Sequence, residues 1–273
     1  MNLFATAKSS RVRAPAVAGR FYPGDPTKLR QTVEQLLHTA PAWNGPVPKA
    51  LIAPHAGYLF SGPVAAAAYT TLAGGRGVVE RVVLLGPAHF VGFHGVAATD
   101  KEAFATPLGR VAVDVPALNE LVERKLVVRL EQAHADEHCL EVQLPFLQVL
   151  LDTFKIVPLV VGDVSISELG RLLDEIWGGP ETLIIVSSDL SHYLGAAAAR
   201  VMDESTATAI ARLAPEELNE QQACGLVAIR SLLAVAAKHN LAARRLDLRN
   251  SADAGGPADR VVGYGAFAFG AVR

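Results

Sequence analysis

Apolar residues fall along this chain in two distinct rhythms. Short runs that are apolar at nearly every position occur at 50–53, 81–85, 156–161 and 182–186. Runs of that length, bounded by Gly, Pro or polar residues, read as strands buried on both faces. Between them lie stretches with apolar residues three and four apart, at 27–37, 62–72, 115–125, 165–177, 202–213 and 224–239, which read as helices. The stretch 139–154 has the same spacing, and Pro145 within it implies either a kink or a helix that begins near it. Weaker strand patterns fall at 95–99, 242–248 and 261–269, and the last, rich in Gly and aromatic residues, is placed as an antiparallel edge strand.

Strands and helices alternate throughout, which predicts an α/β fold with a mostly parallel central sheet and helices on both faces. No repeat or linker divides the chain, so a single domain is expected over residues 13–273, preceded by a flexible arm at 1–12. Residues 13–23 carry two prolines and a glycine and read as an ordered but irregular lead-in. In sheets of this kind ligands bind outside the carboxyl ends of the strands.

Composition narrows the function without naming it. The 273 residues are 51% hydrophobic and 19% charged, which is far from the composition of a disordered chain. With 25 basic and 27 acidic residues the net charge is −2 and no basic block is present, so nucleic acid is not an expected partner. Arg11, Arg13 and Arg20 read as solvated or substrate-facing. The N-terminal stretch lacks a secretory apolar core and no apolar run reaches the roughly 20 residues that span a bilayer. A cytoplasmic location without membrane attachment is therefore expected, with Cys139 and Cys224 as thiols rather than a disulfide.

The chemistry-bearing residues gather at strand ends. The run 50–53 leads into Pro54-His55, the run 81–85 into His89, and the run 182–186 into Asp189 and His192. Parallel strands bring such ends to one edge, so residues distant in sequence should line one crevice. A lone histidine after a strand is more often structural than functional, but three polar strand ends coincide here. Asp136, Glu137, His138 and Glu141 form a second cluster. Its plain reading is capping of the following helix, and its sharper reading places His138 in the crevice as acid, base or substrate contact, oriented by its neighbours. Cys224 precedes Gly225 and an apolar helix, where the helix dipole favours thiolate. Cys139 reads as a buried small hydrophobe, and His38, His94 and His239 as surface or packing residues.

Several motifs then occur in one order: Pro15-Ala16-Val17-Ala18-Gly19-Arg20-Phe21-Tyr22-Pro23, Ala53-Pro54-His55-Ala56-Gly57-Tyr58, Gly86-Pro87-Ala88-His89, Asp136-Glu137-His138 through Leu144-Pro145, Ser187-Ser188-Asp189-Leu190-Ser191-His192, and Cys224-Gly225. Together they resemble the Memo family, also called the B component of the AmmeMemoRadiSam system. The resemblance implies a fold similar to class III extradiol dioxygenases and a mononuclear metal held by His55, His89 and Cys224. It also implies that Asp189, His192 and His138 line the same pocket. Iron is favoured by the resemblance, while a thiolate ligand equally suits zinc or copper.

Three functions follow as expectations. The first is a non-haem iron oxidoreductase, dioxygenase-like, acting on a small organic substrate with His192 or His138 moving protons and Asp189 orienting His192 or contributing charge. The second is a binding or adaptor protein that keeps the pocket without turnover. The third, ranked below both, is zinc-dependent hydrolysis, for which no signature such as His-Glu-x-x-His is present. The resemblance also implies AMMECR-type and radical-SAM proteins as partners.

Overall fold

Three of the α-helix starts are set by side-chain capping. Asp25 caps the first helix by accepting from the Lys28 amide, with Pro26 at its first position. Asp114 does the same for a later helix, and Ser165 and Glu168 form a reciprocal capping box. The computed structural model describes residues 11–271, so the first ten residues of the expected arm lie outside it.

The strands are β1 (Val12–Arg13), β2 (Ala50–Ala53), β3 (Arg81–Pro87), β4 (Val96–Ala98), β5 (Ala103–Thr106), β6 (Gly109–Val113), β7 (Val128–Arg129), β8 (Lys155–Val161), β9 (Thr182–Ser187), β10 (His192–Leu194), β11 (Leu241–Asn250) and β12 (Val261–Ala271). The α-helices are α1 (Pro26–Thr39), α2 (Tyr58–Tyr69), α3 (Val115–Glu123), α4 (Glu131–Ala135), α5 (Leu144–Leu150), α6 (Ile166–Glu175), α7 (Ala196–Ala211) and α8 (Leu226–Lys238). The fold is a single α/β domain with one mixed sheet. Its order is β1-β5-β6-β8-β3-β9-β2-β12-β10, with β11 paired to β12, and β4 paired to both β7 and β8.

The centre, β6-β8-β3-β9-β2, is parallel; antiparallel pairing joins β5 to β6, β12 to β2, β10 and β11, and the short β4 to the end of β8. Every residue of β2 and β9 is buried, so both faces of the central sheet are covered. Helices α1, α2 and α5 pack against one another, while α6 packs on α8. No helix among the described residues is long and apolar enough to cross a membrane.

Two expectations change. The final strand is antiparallel but not an edge: Phe267, Ala268 and Phe269 pair with β2 on one side and with β11 on the other. The alternating, half-exposed β11 continues the sheet beyond it. Of the two alternatives for 139–154, a helix beginning near Pro145 is the one observed: a 3-10 turn at Glu141–Gln143 leads into α5, with Pro145 in its first turn. Arg13 is neither solvated nor substrate-facing. It is 3% exposed, and its guanidinium donates to Glu141 Oε2 at 2.6 Å and to the carbonyls of His134 and Glu137.

Candidate metal centre

Strands β3, β9 and β2 are neighbours running in parallel, with Leu85 opposite Val186 and Ser187 opposite Ala53. Their carboxyl ends therefore deliver His89, Asp189 and His55 to one edge. The ring centroids of His55 and His89 are 5.1 Å apart, and His138 stands 5.4 Å from the first and 4.7 Å from the second. One potential ligand atom from each of these three histidines lies within 4.8 Å of the others. His89, Glu137 and Cys139 form a second such group, so the candidate metal-binding cluster comprises His55, His89, His138, Glu137 and Cys139.

The protonation of His55 follows from its neighbours. Gln143 donates Nε2 to the Pro54 carbonyl and to Ser187 Oγ, while its Oε1 accepts from the Tyr69 hydroxyl. Ser187 Oγ spends its single proton on the Cys139 carbonyl at 2.6 Å. It can therefore only accept from His55 Nδ1, 2.9 Å away, and the proton of His55 sits on Nδ1. Nε2 is then the acceptor, 3.4 Å from the Cys224 thiol. Burial first, and the neighbouring His89 second, pull the His55 pKa down to about 3, so this ring is neutral near pH 7.

Glu137 does for His89 what Ser187 does for His55. One carboxylate oxygen accepts from the His89 amide at 2.8 Å and the other from His89 Nδ1 at 2.9 Å. The second oxygen also accepts from the backbone amides of His138 and Cys139. Burial alone would raise this carboxyl, but the hydrogen bonds from His89 and the backbone bring it down to about 2. His138 is drawn down to about 4, by burial first and by His55 next. The edge of Phe21 lies against it at 4.9 Å between centroids.

Asp189 is buried and its Oδ1 accepts from the His55 amide at 2.8 Å, which fixes the turn that carries His55. Burial raises its pKa, against hydrogen bonds from the His55 and Ala56 amides and the charge of His192. His192 opens β10 and lines a cavity of about 350 Å³ with Leu194, Met202, Glu220, Gln221, Ala223 and Cys224.

Cys224 lies just before α8, as expected, but its chemistry differs from the expectation. Burial first, and the charge of Asp189 second, push its thiol up to about 12, so the helix dipole alone does not produce a thiolate. A bound cation would, since metal binding displaces the ligand proton. Gly225 makes this position reachable: a Cβ there would stand 2.8 Å from Ser188 Cβ. Cys139 is fully buried, as expected, with Sγ 3.4 Å from the Pro87 carbonyl oxygen. His94 and His239 lie outside the cluster, the first exposed and paired with Asp163, the second stacked on Trp177.

The chain thus has the form of an α/β protein with a cluster of ligand-type side chains at the carboxyl edge of its central sheet. The Memo-like protein family matches residues 13–268. MEMO1 family proteins of Aquifex aeolicus and Saccharolobus solfataricus are each 37% identical to it, over 93% and 94% of this chain and 97% and 99% of theirs. A MEMO1 family protein of Nitrosopumilus maritimus is 32% identical over 94% of this chain and 99% of its own length. The chain belongs to the Memo family.

Proposed function

We propose that this protein holds one transition-metal ion, iron, through His55, His89 and Cys224, and uses it in dioxygen-dependent oxidation of a small organic substrate. The observation that carries the reading is the pair of imidazoles whose Nδ1 atoms are engaged by Ser187 and Glu137, with Cys224 Sγ 3.4 Å from His55 Nε2. Neutral nitrogen donors beside a thiol suit a borderline metal such as iron, zinc or copper and are poorly matched to magnesium or calcium. Iron, when bound, would supply redox chemistry and open positions for substrate and dioxygen.

The chain's own residues then divide the remaining work. His138, neutral near pH 7 and edged by Phe21, takes or returns a proton at the crevice. His192 serves the cavity on the Cys224 side. Asp189 keeps the His55 loop in place and contributes negative charge. A cytoplasmic setting is compatible with the two free cysteines. Association with AMMECR-type and radical-SAM proteins belongs to the same proposal and is tested by co-purification.

Elemental analysis of protein purified anaerobically without a histidine tag tests the centre, with wild type beside His55→Ala, His89→Ala and Cys224→Ser. Near-stoichiometric iron lost in all three variants is expected, followed by oxygen consumption with small organic substrates. Metal content indifferent to all three changes overturns the assignment. Stoichiometric metal without oxygen consumption favours the binding-protein reading, and zinc with hydrolytic turnover favours the hydrolase.

A further inference from the structure

The two histidines His89 and His138 share one support. Glu137 Oε1 lies 2.9 Å from His89 Nδ1 and 3.3 Å from His138 Nδ1. The Glu137 side chain is 2% exposed. Its backbone is fixed as well, because the Glu137 carbonyl accepts from Arg13 Nη2 at 2.6 Å and Arg13 is itself held by Glu141. A carboxylate only accepts, so a neutral imidazole beside it presents Nδ1–H and keeps its lone pair on Nε2.

We propose that Glu137 is the positioning residue of the centre: one carboxylate, held by Arg13 through its backbone, orients both His89 and His138 with Nδ1 turned toward it and Nε2 toward the crevice. The inference rests on the metal-binding reading above and deepens it. Glu137 touches neither metal nor substrate in this role. It fixes the tautomer and ring direction of two histidines 49 residues apart in sequence (138 − 89), which would otherwise each exchange between two tautomers. Outer partners of this kind typically change metal affinity by roughly ten- to a hundredfold when replaced.

Glu137→Gln separates orientation from bulk. The amide keeps the shape but has only one oxygen: with that oxygen facing the two rings, its NH₂ meets the His89 amide donor, and with the NH₂ facing the rings, both Nδ1–H groups lose their acceptor, so in either orientation the His89 segment must move. Two measurements are made on the full-length protein: zinc(II) affinity by competition with a chromophoric chelator, and histidine ring ¹⁵N shifts after metal is stripped. The expected result is Nδ1–H forms for His55, His89 and His138 in wild type. In Glu137→Gln, mixed tautomers at His89 or His138 should accompany roughly ten- to a hundredfold weaker zinc binding. Wild-type affinity and unchanged ring shifts in Glu137→Gln overturn the proposal. If Glu137→Gln does not fold, the wild-type spectrum still decides, since an Nε2–H form at His89 is incompatible with the proposed role. His89→Ala separates the two levels: unchanged zinc affinity there sinks the metal-site reading itself, whereas lost affinity there with wild-type affinity in Glu137→Gln sinks only the role of Glu137.

Discussion

Two buried polar clusters lie on either side of the segment 137–141, and they are built on opposite principles. In the first, Glu141 receives Arg13 Nη1, the amides of Ala16 and Val17 and the Tyr22 hydroxyl, so four donors fill its two oxygens. In the second, Ser187 and Glu137 hold His55 and His89 at Nδ1, while Nε2 of His89 carries no hydrogen bond among the described residues and Nε2 of His55 meets the Cys224 thiol. The first cluster is closed and charge-balanced, and its work is to fasten the lead-in segment to the domain. The second keeps lone pairs unspent at the edge of the sheet. Buried polarity alone therefore does not mark a functional site; buried polarity that is satisfied on one side only does.

The largest effect should come from opening the closed cluster. Arg13→Met leaves Glu141 buried without its cation and should cost about 3–5 kcal/mol in urea unfolding, as breaking a buried pair usually does. A cost near zero would erase the contrast between the clusters. The second effect concerns the open cluster: zinc at about a hundredfold over its dissociation constant should stabilise wild type by about 2.7 kcal/mol. A chelator should reverse that gain, and Cys224→Ser should reduce it, both readable as shifts in Tm. Third, Gly225→Ala forces a Cβ to within 3.1 Å of the Ser187 carbonyl oxygen. Overpacking of this kind costs about 1–3 kcal/mol, and displacement of Cys224 should also diminish the zinc-induced gain.

The last effect, the smallest when read per pH unit, sharpens the comparison through pH. Burial lowers the His55 pKa to about 3 and that of His134 to about 4, below the ordinary value of 6.5 that an unfolded chain would show. Protons then bind the unfolded chain first. Stability is fully present above the unfolded value and falls as pH drops toward the native ones, by about 1.4 kcal/mol per pH unit for each ring. In protein stripped of metal, His55→Gln should show a shallower decline between about pH 6.5 and about pH 4 than wild type. Equal slopes would mean that His55 is not held neutral by burial.

The central part of this arrangement was readable from the chain. The strands ending at His55, His89 and Asp189 are apolar at nearly every position and stop at proline or a polar residue, so their type and shared edge follow from local pattern. The hairpin of β5 and β6 leaves little trace in the sequence, because its strands are only four and five residues long. The roles of Glu137 and Ser187 were out of reach for a different reason. Each acts on a histidine far away in sequence, 48 residues for Glu137 and 132 for Ser187, and no local spacing encodes such a contact. The motif Asp136-Glu137-His138 did place a carboxylate beside a histidine, but it pointed to the neighbour rather than to His89. Arg13 was misread because a cation in a proline-containing segment carries no sign of the buried partner that awaits it, 128 residues on.

The sequence distance across the centre also orders events during synthesis. His55 must wait for Ser187, which is 132 residues downstream, and for Cys224, which is 169 residues downstream. Loop closures over such spans come late in folding. A nascent chain thus displays His55 long before the thiol that accompanies it has left the ribosome, and the complete donor set exists only after most of the sheet has been translated. If an ion is held as proposed, its loading would follow synthesis and draw on whatever metal the finished protein meets.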